Sequence, residues 1–297
     1  MTYALYDIGG TKTRIAISRD GATFEDPTII NTPKDYREGI EQIAKITKEL
    51  AGEPITAAGG GIAGVLSRDR SLYLGGPNLL GWGGRAIPQL LSEKLGCPVF
   101  LENDTAIVGL GEAYHGAGKG GDIVVYMTIS TGVGGVRIVH GDIDVSVFGF
   151  EPGHQIIDAG GALHKGVGGY GVDLEGYISG SAVEMRYGKK PFEITDPEFW
   201  DEMARLLAYG LNNTIVHWSP DIVVLGGSMM KQIGIPVNRV REHLSGMLHI
   251  YPQLPRIVKA ELGDIGGIYG ALHFVDHRYR ETIRSKKLMQ NDGELKK

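Results

Sequence analysis

An acid, two glycines, a threonine and a lysine stand together near the start of the chain, in the segment Asp7–Lys12. Apolar runs flank this segment, which predicts a strand, a tight turn and a second strand. Glycines let a ligand approach the backbone closely, so the turn N–H groups, the Thr11 hydroxyl and the Lys12 ammonium suit a phosphate-sized anion. Asp7 is suited to hold Mg²⁺ through water. The alternative is an ordinary hairpin, because short glycine motifs often occur by chance.

A second glycine-rich segment follows the same plan. An apolar run over 122–129 ends in Ser130-Thr131-Gly132-Val133-Gly134-Gly135, and a second strand is predicted over Val136–Val139. Both segments consist of a strand, a turn of small residues and a strand that carries Arg and then Ile. This weak repeat predicts two related domains, each directing a glycine-rich hairpin at one cleft. Two such hairpins would suit a nucleoside triphosphate.

Polar side chains also stand at the junctions that follow other predicted strands. Asn103 and Asp104 lie between a short strand over 98–101 and a helix predicted from about 106 to 114. An acid placed there can serve as a general base at the carboxyl end of a strand, although helix capping is the simpler explanation for an isolated Asn-Asp pair. Asn78 follows Pro77 in a loop, where its amide suits a polyol substrate or an Asx-turn.

Composition limits the class of protein. The chain has 297 residues, of which 42% are hydrophobic and 22% charged, with a net charge of −5 and one cysteine. We therefore expect a globular protein of about two domains without a disulfide, and neither a nucleic-acid nor a membrane partner. The N-terminus enters a strand at once, and no apolar run is long enough to span a bilayer, so a cytoplasmic location is expected.

The remaining pattern alternates strands and helices. Amphipathic spacing predicts a helix over 36–51 with Asp35 as its N-cap, and Asp196-Pro197 is typical of the start of a long helix. The other predicted elements are a strand over 22–31, a strand over 55–62, a helix over 86–95, a strand over 221–225, a helix over 236–248, a strand over 256–260 and a helix over 268–282.

The ordered set of motifs resembles the ROK family of sugar kinases, repressors and uncharacterised proteins, and the resemblance extends from residue 3 to about 275. The motifs that carry it are Asp7-Ile8-Gly9-Gly10-Thr11-Lys12, Pro77-Asn78-Leu79-Leu80-Gly81-Trp82, Glu102-Asn103-Asp104, Ser130-Thr131-Gly132-Val133-Gly134-Gly135, Glu151-Pro152-Gly153-His154, Leu174-Glu175 and Val224-Leu225-Gly226-Gly227.

The resemblance implies an α/β fold of the actin-like ATPase type, shared by hexokinase, Hsp70 and actin, with two RNase H-like domains around a cleft. We expect a small N-terminal domain over 1–117, joined by a C-terminal helix at about 277–297, and a large domain over 118–276. Because the family is often dimeric, a homodimer is expected.

The resemblance also implies roles for single residues. Asp104 matches the catalytic base, and Asp7 the residue that holds Mg²⁺ through water. The positions that match phosphate contacts are Asp7, Gly9, Gly10, Thr11, Lys12, Thr131, Gly132 and Gly134, and those beside adenosine are Gly226 and Gly227. The positions that match sugar contacts are Asn78, Asn103, Asp104, Glu151, His154 and Glu175.

The implied reaction is transfer of the γ-phosphoryl group of Mg·ATP to a hexose hydroxyl, with glucose as the default substrate. Fructose, mannose or an N-acetylhexosamine remain alternative substrates, and polyphosphate remains an alternative donor. A non-catalytic sugar sensor of the same fold is the alternative function. A family repressor is disfavoured, because its DNA-binding domain would precede a hairpin that begins here at residue 3.

One segment departs from the family pattern. Family members commonly bind zinc through a Cys-x-Cys-Gly-x-x-Gly-Cys segment and the His of the Glu-x-Gly-His motif, whereas residues 163–173 contain no cysteine. Zinc is therefore not expected. A residual site formed by His154, His164 and Asp173 is the alternative, although structural zinc usually needs thiolates.

Overall fold

The computed structural model of the chain describes residues 1–161, 163 and 172–294. The chain divides into two compact units, the first formed by Met1–Gly111, Ser146–Phe148 and Asp264–Lys297, and the second by Glu112–Val145 and Gly149–Gly263. These limits differ from the boundaries predicted at 117 and 276, and that division into domains stays a prediction.

The elements alternate along the chain much as the hydrophobic pattern predicts. Up to residue 115, they are β1 (Tyr3–Ile8), β2 (Lys12–Ser18), β3 (Thr28–Asn31), α1 (Tyr36–Ala51), β4 (Ala57–Ile62), β5 (Val65–Leu66), β6 (Tyr73–Gly75), α2 (Ile87–Leu95), β7 (Val99–Asn103) and α3 (Asp104–His115). They continue with β8 (Ile123–Ile129), β9 (Val133–Val139), β10 (Asp142–Ile143), α4 (Leu174–Ile178), α5 (Gly180–Tyr187), α6 (Pro197–Trp218), β11 (Ile222–Gly226), α7 (Val237–Ser245), β12 (Arg256–Lys259) and α8 (Gly266–Glu294).

Each unit contains a five-stranded sheet, and the two sheets have the same topology. The strand order is β3-β2-β1-β4-β7 in the first unit and β10-β9-β8-β11-β12 in the second. In both, an antiparallel hairpin supplies the first strand of a parallel set. The internal repeat predicted from the two glycine-rich segments is therefore confirmed at the level of topology.

Local signals account for the helices that were predicted closely. The Asp35 carboxylate caps α1 by accepting from the Arg37 and Glu38 N–H groups, and the helix ends before Gly52, which adopts a positive φ of 63°. The Asp196 carboxylate caps α6 by accepting from the N–H of Glu198, and Pro197 occupies the first helical position.

Some predicted boundaries were wrong. The strand expected over 22–31 is shorter, since only β3 forms at its C-terminal end. At the other end, the Asp20 carboxylate accepts from the Ala22 and Thr23 N–H groups, both at 2.8 Å, and holds a turn there. The second strand of the second hairpin begins at Val133 instead of Val136. Its turn is closed by a hydrogen bond from Ser130 N to Gly132 O, which makes Gly134 a strand residue paired with Thr128.

The glycine run in β4 reflects close packing of helices against the first sheet. A Cβ on Gly60 would lie 2.9 Å from the Cβ of Ala271 in α8, and one on Gly61 would lie 2.9 Å from the Cα of Asp104. Helices α3 and α8 also approach each other closely, since a Cβ on Gly111 would lie 2.4 Å from the carbonyl oxygen of Gly266. Small residues thus let two helices approach the carboxyl ends of the strands.

Within the part of the chain that the structure describes, even the longest helices, α6 and α8, lack a stretch apolar enough to cross a bilayer. The single cysteine, Cys97, is buried, and its burial raises the pKa of its thiol to about 11.

Glu112 is a fully buried carboxylate that binds backbone instead of a cation. It accepts from the N–H groups of Ala117, Glu261 and Leu262 at 2.9–3.0 Å, which ties the end of α3 to the segment after β12 within the second unit.

Truncation of the Glu112 side chain leaves these buried donors unsatisfied. We expect Glu112→Ala to lower the free energy of unfolding by about 2–4 kcal/mol, measured by urea unfolding. Glu49→Ala is the matched control, because Glu49 is exposed; equal unfolding midpoints would contradict the prediction.

Candidate active site

Asp7 lies on β1 directly opposite Arg14 on β2. Arg14 Nη1 donates to Asp7 Oδ2 at 3.0 Å, and both side chains are largely buried. Burial raises the pKa of Asp7, Arg14 opposes that shift, and the charge of Asp264 adds to it. Gly267 in the first turn of α8 faces this carboxylate, since a Cβ there would lie 3.1 Å from Asp7 Cγ. The positive end of the helix dipole therefore favours the charged form of Asp7.

The turn after Asp7 is closed and braced by backbone and hydroxyl bonds. Gly9 N donates to Lys12 O at 3.0 Å, and the Thr32 hydroxyl beside β3 donates to Gly9 O at 2.7 Å. The side chains of Thr11 and Lys12 are exposed. A Cβ on Gly10 would lie 2.5 Å from Asn78 O, so the turn packs directly on the exposed Asn78 loop. The structure thus brings the predicted phosphate hairpin and Asn78 together.

Asp104 begins α3 at the end of β7, two residues before the predicted start of that helix. Its Oδ1 accepts from Thr105 N at 2.8 Å. Burial raises the pKa of Asp104 to about 6, and the negative charge of Asp7 adds to this shift. A carboxyl with this pKa is ionised at neutral pH and basic enough to accept a proton.

Asn103 is the N-cap of α3, as the simpler interpretation proposed. Its Oδ1 accepts from Ala106 N at 3.1 Å, and its Nδ2 donates to Gly64 O at 3.0 Å. Both polar atoms of this amide therefore already have protein partners.

The two acids share one edge of the sheet because of strand register. Asp7 pairs with Gly61, and Gly61 pairs with Glu102, so the carboxyl ends of β1, β4 and β7 are level. Gly61 separates the acids without a side chain of its own, which leaves their charges to act on each other. This arrangement is typical of the substrate edge of α/β proteins.

The second unit places Glu175 on its own glycine-rich turn. Glu175 Oε2 accepts from Val133 N at 2.7 Å, and a Cβ on Gly132 would lie 2.6 Å from the same oxygen. Thr131 is held from the other side, since its carbonyl accepts from Ser181 N at the start of α5.

The predicted adenosine glycines lie beside the same turn in the second unit. Gly226 ends β11 in register with Thr128 of β8, and a Cβ on Gly227 would lie 2.2 Å from Ile129 O. The next residue, Ser228, shares a hydrogen bond with Ser130 through their hydroxyl oxygens at 3.0 Å. The two predicted nucleotide segments of this unit are therefore adjacent.

Glu151 and His154 frame a short helical turn that packs on β9. His154 Nδ1 lies 3.1 Å from Asp173 Oδ2, and this contact, aided by Glu175 and Glu151, raises the pKa of His154. Burial raises the pKa of Glu151, and the charge of Glu175 adds to the shift. The three acids around His154 thus favour its imidazolium form.

Sequence reasoning assigned no role to several residues that shape these sites. Arg14 was noted only as part of the repeat, although its position opposite Asp7 follows from hairpin register. Glu102 stands in a recognised motif, but its partner Arg70 is distant in the sequence and gives no signal. Gly267 is likewise defined only by tertiary contacts.

No group of three or more His, Cys, Asp or Glu side chains able to hold a metal occurs within residues 1–161, 163 and 172–294. His164, named in the alternative zinc site, lies outside the described residues. Asp7 does fit a hydrated Mg²⁺: it is a hard oxygen donor, and its Oδ1 accepts no hydrogen bond from the described residues.

Comparison with known proteins gives a consistent result. Residues 3–278 match the model of the ROK family. A glucokinase from Thermotoga maritima is 27% identical, over 92% of this chain and 96% of its own length. An N-acetyl-D-glucosamine kinase from Escherichia coli is 29% identical, over 92% of this chain and 100% of its own length.

Among solved structures, a ROK hexokinase from Thermus thermophilus superposes with a TM-score of 0.78 at 27% identity, covering 95% of this chain and 100% of that one. The predicted actin-like ATPase fold is therefore confirmed. The family match, the fold and the ordered motifs agree over nearly the whole length, and this chain belongs to the ROK family.

Proposed function

We propose that this protein is an ATP-dependent hexose kinase that transfers the γ-phosphoryl group of Mg·ATP to a sugar hydroxyl, with glucose as the preferred acceptor. The observation that carries the proposal is the position of Asp104. It begins α3 directly after the parallel strand β7, at the same sheet edge as Asp7, and its pKa of about 6 suits a general base.

In this scheme, different residues remove the proton and stabilise the charge. Asp104 accepts the proton of the attacking hydroxyl as the oxygen–phosphorus bond forms and the bond to the ADP oxygen breaks. Asp7, whose ionised form Arg14 stabilises, would hold a hydrated Mg²⁺, which when bound would neutralise charge on the phosphates. Lys12 and the N–H groups of the first turn face the transferred phosphate, and Thr131, Gly132 and Gly134 provide further phosphate contacts.

Sugar selection is assigned to hydroxyl contacts, for which we propose Asn78, Asn103, Glu151, His154 and Glu175. Gly226 and Gly227 are proposed to lie beside adenosine. Glucose is favoured because a glucokinase is among the relatives, but an N-acetylglucosamine kinase is about equally similar. The predicted homodimer and cytoplasmic location stay predictions.

The first experiment measures ADP release from Mg·ATP with glucose, fructose, mannose, N-acetylglucosamine and N-acetylmannosamine, and with no sugar. We expect turnover that depends on sugar and is highest with glucose, because the hydroxyl contacts discriminate between epimers. Polyphosphate replaces ATP in a parallel series. A higher kcat/KM for another sugar would overturn the glucose assignment, and sugar binding without turnover would favour the sensor function.

Asp104→Asn tests the general base. The amide keeps the shape of the side chain and can still accept from Thr105 N, but it cannot take a proton. We expect kcat to fall about 10²–10⁴-fold while a non-hydrolysable ATP analogue still binds. Asp122→Asn is the control, because Asp122 is an exposed carboxylate outside the site. Turnover within threefold of the unmodified protein would exclude Asp104 as the base.

The pH dependence of kcat/KM follows from the raised pKa of Asp104. Only the ionised carboxylate accepts a proton, so activity is full above the pKa and is lost as pH falls through about 6. Below that value we expect a decrease of about tenfold per pH unit. Circular dichroism at each pH checks that the protein remains folded. An acid limb centred near 4 would show that the titrating group is not the buried Asp104.

A further inference from the structure

We propose that Glu102 and Arg70 form a buried ion pair that positions the general base, by fixing the backbone between β7 and α3 to the loop between β5 and β6. This inference rests on the proposed function and deepens it. Neither residue is assigned a contact with substrate, so both are positioning residues.

Glu102 uses its two carboxylate oxygens for two different purposes. Oε2 accepts from Arg70 Nε at 2.6 Å, and Oε1 accepts from the backbone N–H of Asn103 at 2.9 Å. The residue is only 8% exposed. A carboxylate at this depth is costly unless it is paired and hydrogen-bonded, and Arg70 and the N–H of Asn103 supply these contacts.

The bond to Asn103 acts at the residue immediately before the base. Strand β7 is at the edge of the sheet, so no further strand is available on its outer side. Glu102 satisfies the N–H of Asn103, while the Asn103 side chain caps α3 and bonds to Gly64 O. Three hydrogen bonds thus fix Asn103, the residue immediately before Asp104.

The loop that presents Arg70 is ordered by its own polar groups. The Asp69 carboxylate accepts from the Ser67 hydroxyl at 2.6 Å, and from the N–H and hydroxyl of Ser71 at 3.1 and 2.8 Å. Arg70 itself adopts a positive φ of 61°, which is unfavourable for a residue with a side chain. Its Nη1 donates to Ser67 O at 3.1 Å. A strained residue held in this way indicates that the position of its guanidinium matters.

The opposite charges of Arg70 and Glu102 also explain why an ion pair suits this position. Its two charges neutralise each other, so a buried acid can support the backbone next to Asp104 without adding net negative charge beside Asp7 and Asp104. A neutral support would lack the short charge-assisted bond to the loop. Loss of either partner should therefore loosen the junction instead of removing a group from the reaction.

Arg70→Met is the decisive variant, because it keeps much of the side-chain volume and removes the pairing charge. We expect kcat to fall about 10- to 100-fold, with KM for ATP changed less than threefold, since small displacements of a catalytic group slow the chemical step. Arg68→Met is the matched control, because Arg68 is a neighbouring exposed arginine. Hydrogen exchange of the amides at 103–106 should be faster in Arg70→Met than in Arg68→Met.

A second variant tests the ion pair independently, in case Arg70→Met does not fold. Glu102→Gln retains an acceptor for Asn103 N but loses the ion pair, and the double variant with Arg70→Met should cost little more than either single change. Unchanged kcat and unchanged exchange at 103–106 in a folded Arg70→Met protein would overturn the inference. The sugar panel separates the two proposals: absence of turnover with every sugar in the unmodified protein refutes the proposed function, whereas the exchange measurement judges the pair whether or not the protein is a kinase.

Discussion

Repulsion between two carboxyl groups at one sheet edge is the constraint on which the first unit depends. Asp7 and Asp104 lie on either side of the glycine strand β4, and the charge of each disfavours ionisation of the other. Arg14 and the first turn of α8 offset this repulsion at Asp7. Burial raises the pKa of both carboxyl groups, but no arginine opposes the shift at Asp104, whose pKa rises to about 6. The geometry therefore gives two chemically identical side chains different electrostatic surroundings.

The second unit has the same sheet topology but places its charged side chains differently. Arg137, which corresponds to Arg14 in the repeat, pairs with Asp144 and donates to Trp218 O at 3.1 Å, away from the glycine-rich turn. The turn is instead engaged by Glu175, whose carboxylate accepts the N–H of Val133. Duplicated topology thus preserves the backbone platform while the charged side chains differ.

Hydrogen bonds hold the described residues on either side of the cysteine-free segment. Ile157 N donates to Val172 O at 3.0 Å, and Leu174 N donates to Gln155 O at 2.9 Å. The buried Asp158 carboxylate accepts from the Tyr177 hydroxyl at 2.6 Å, and His154 contacts Asp173. These bonds link the residues around Glu151 to the helix that presents Glu175, without a thiolate.

Local periodicity and short motifs were enough to predict the alternation of strands and helices, the caps of α1 and α6, the repeat and the family. They also singled out Asp7 and Asp104. The difference between these two acids is set instead by contacts between residues that are distant in the sequence. Their pKa values depend on burial, on Arg14 and on α8, and the register of β1, β4 and β7 makes them neighbours across about a hundred residues of chain. The ion pair between Glu102 and Arg70 could not be predicted either, since an ion pair between distant residues leaves no pattern in a single sequence.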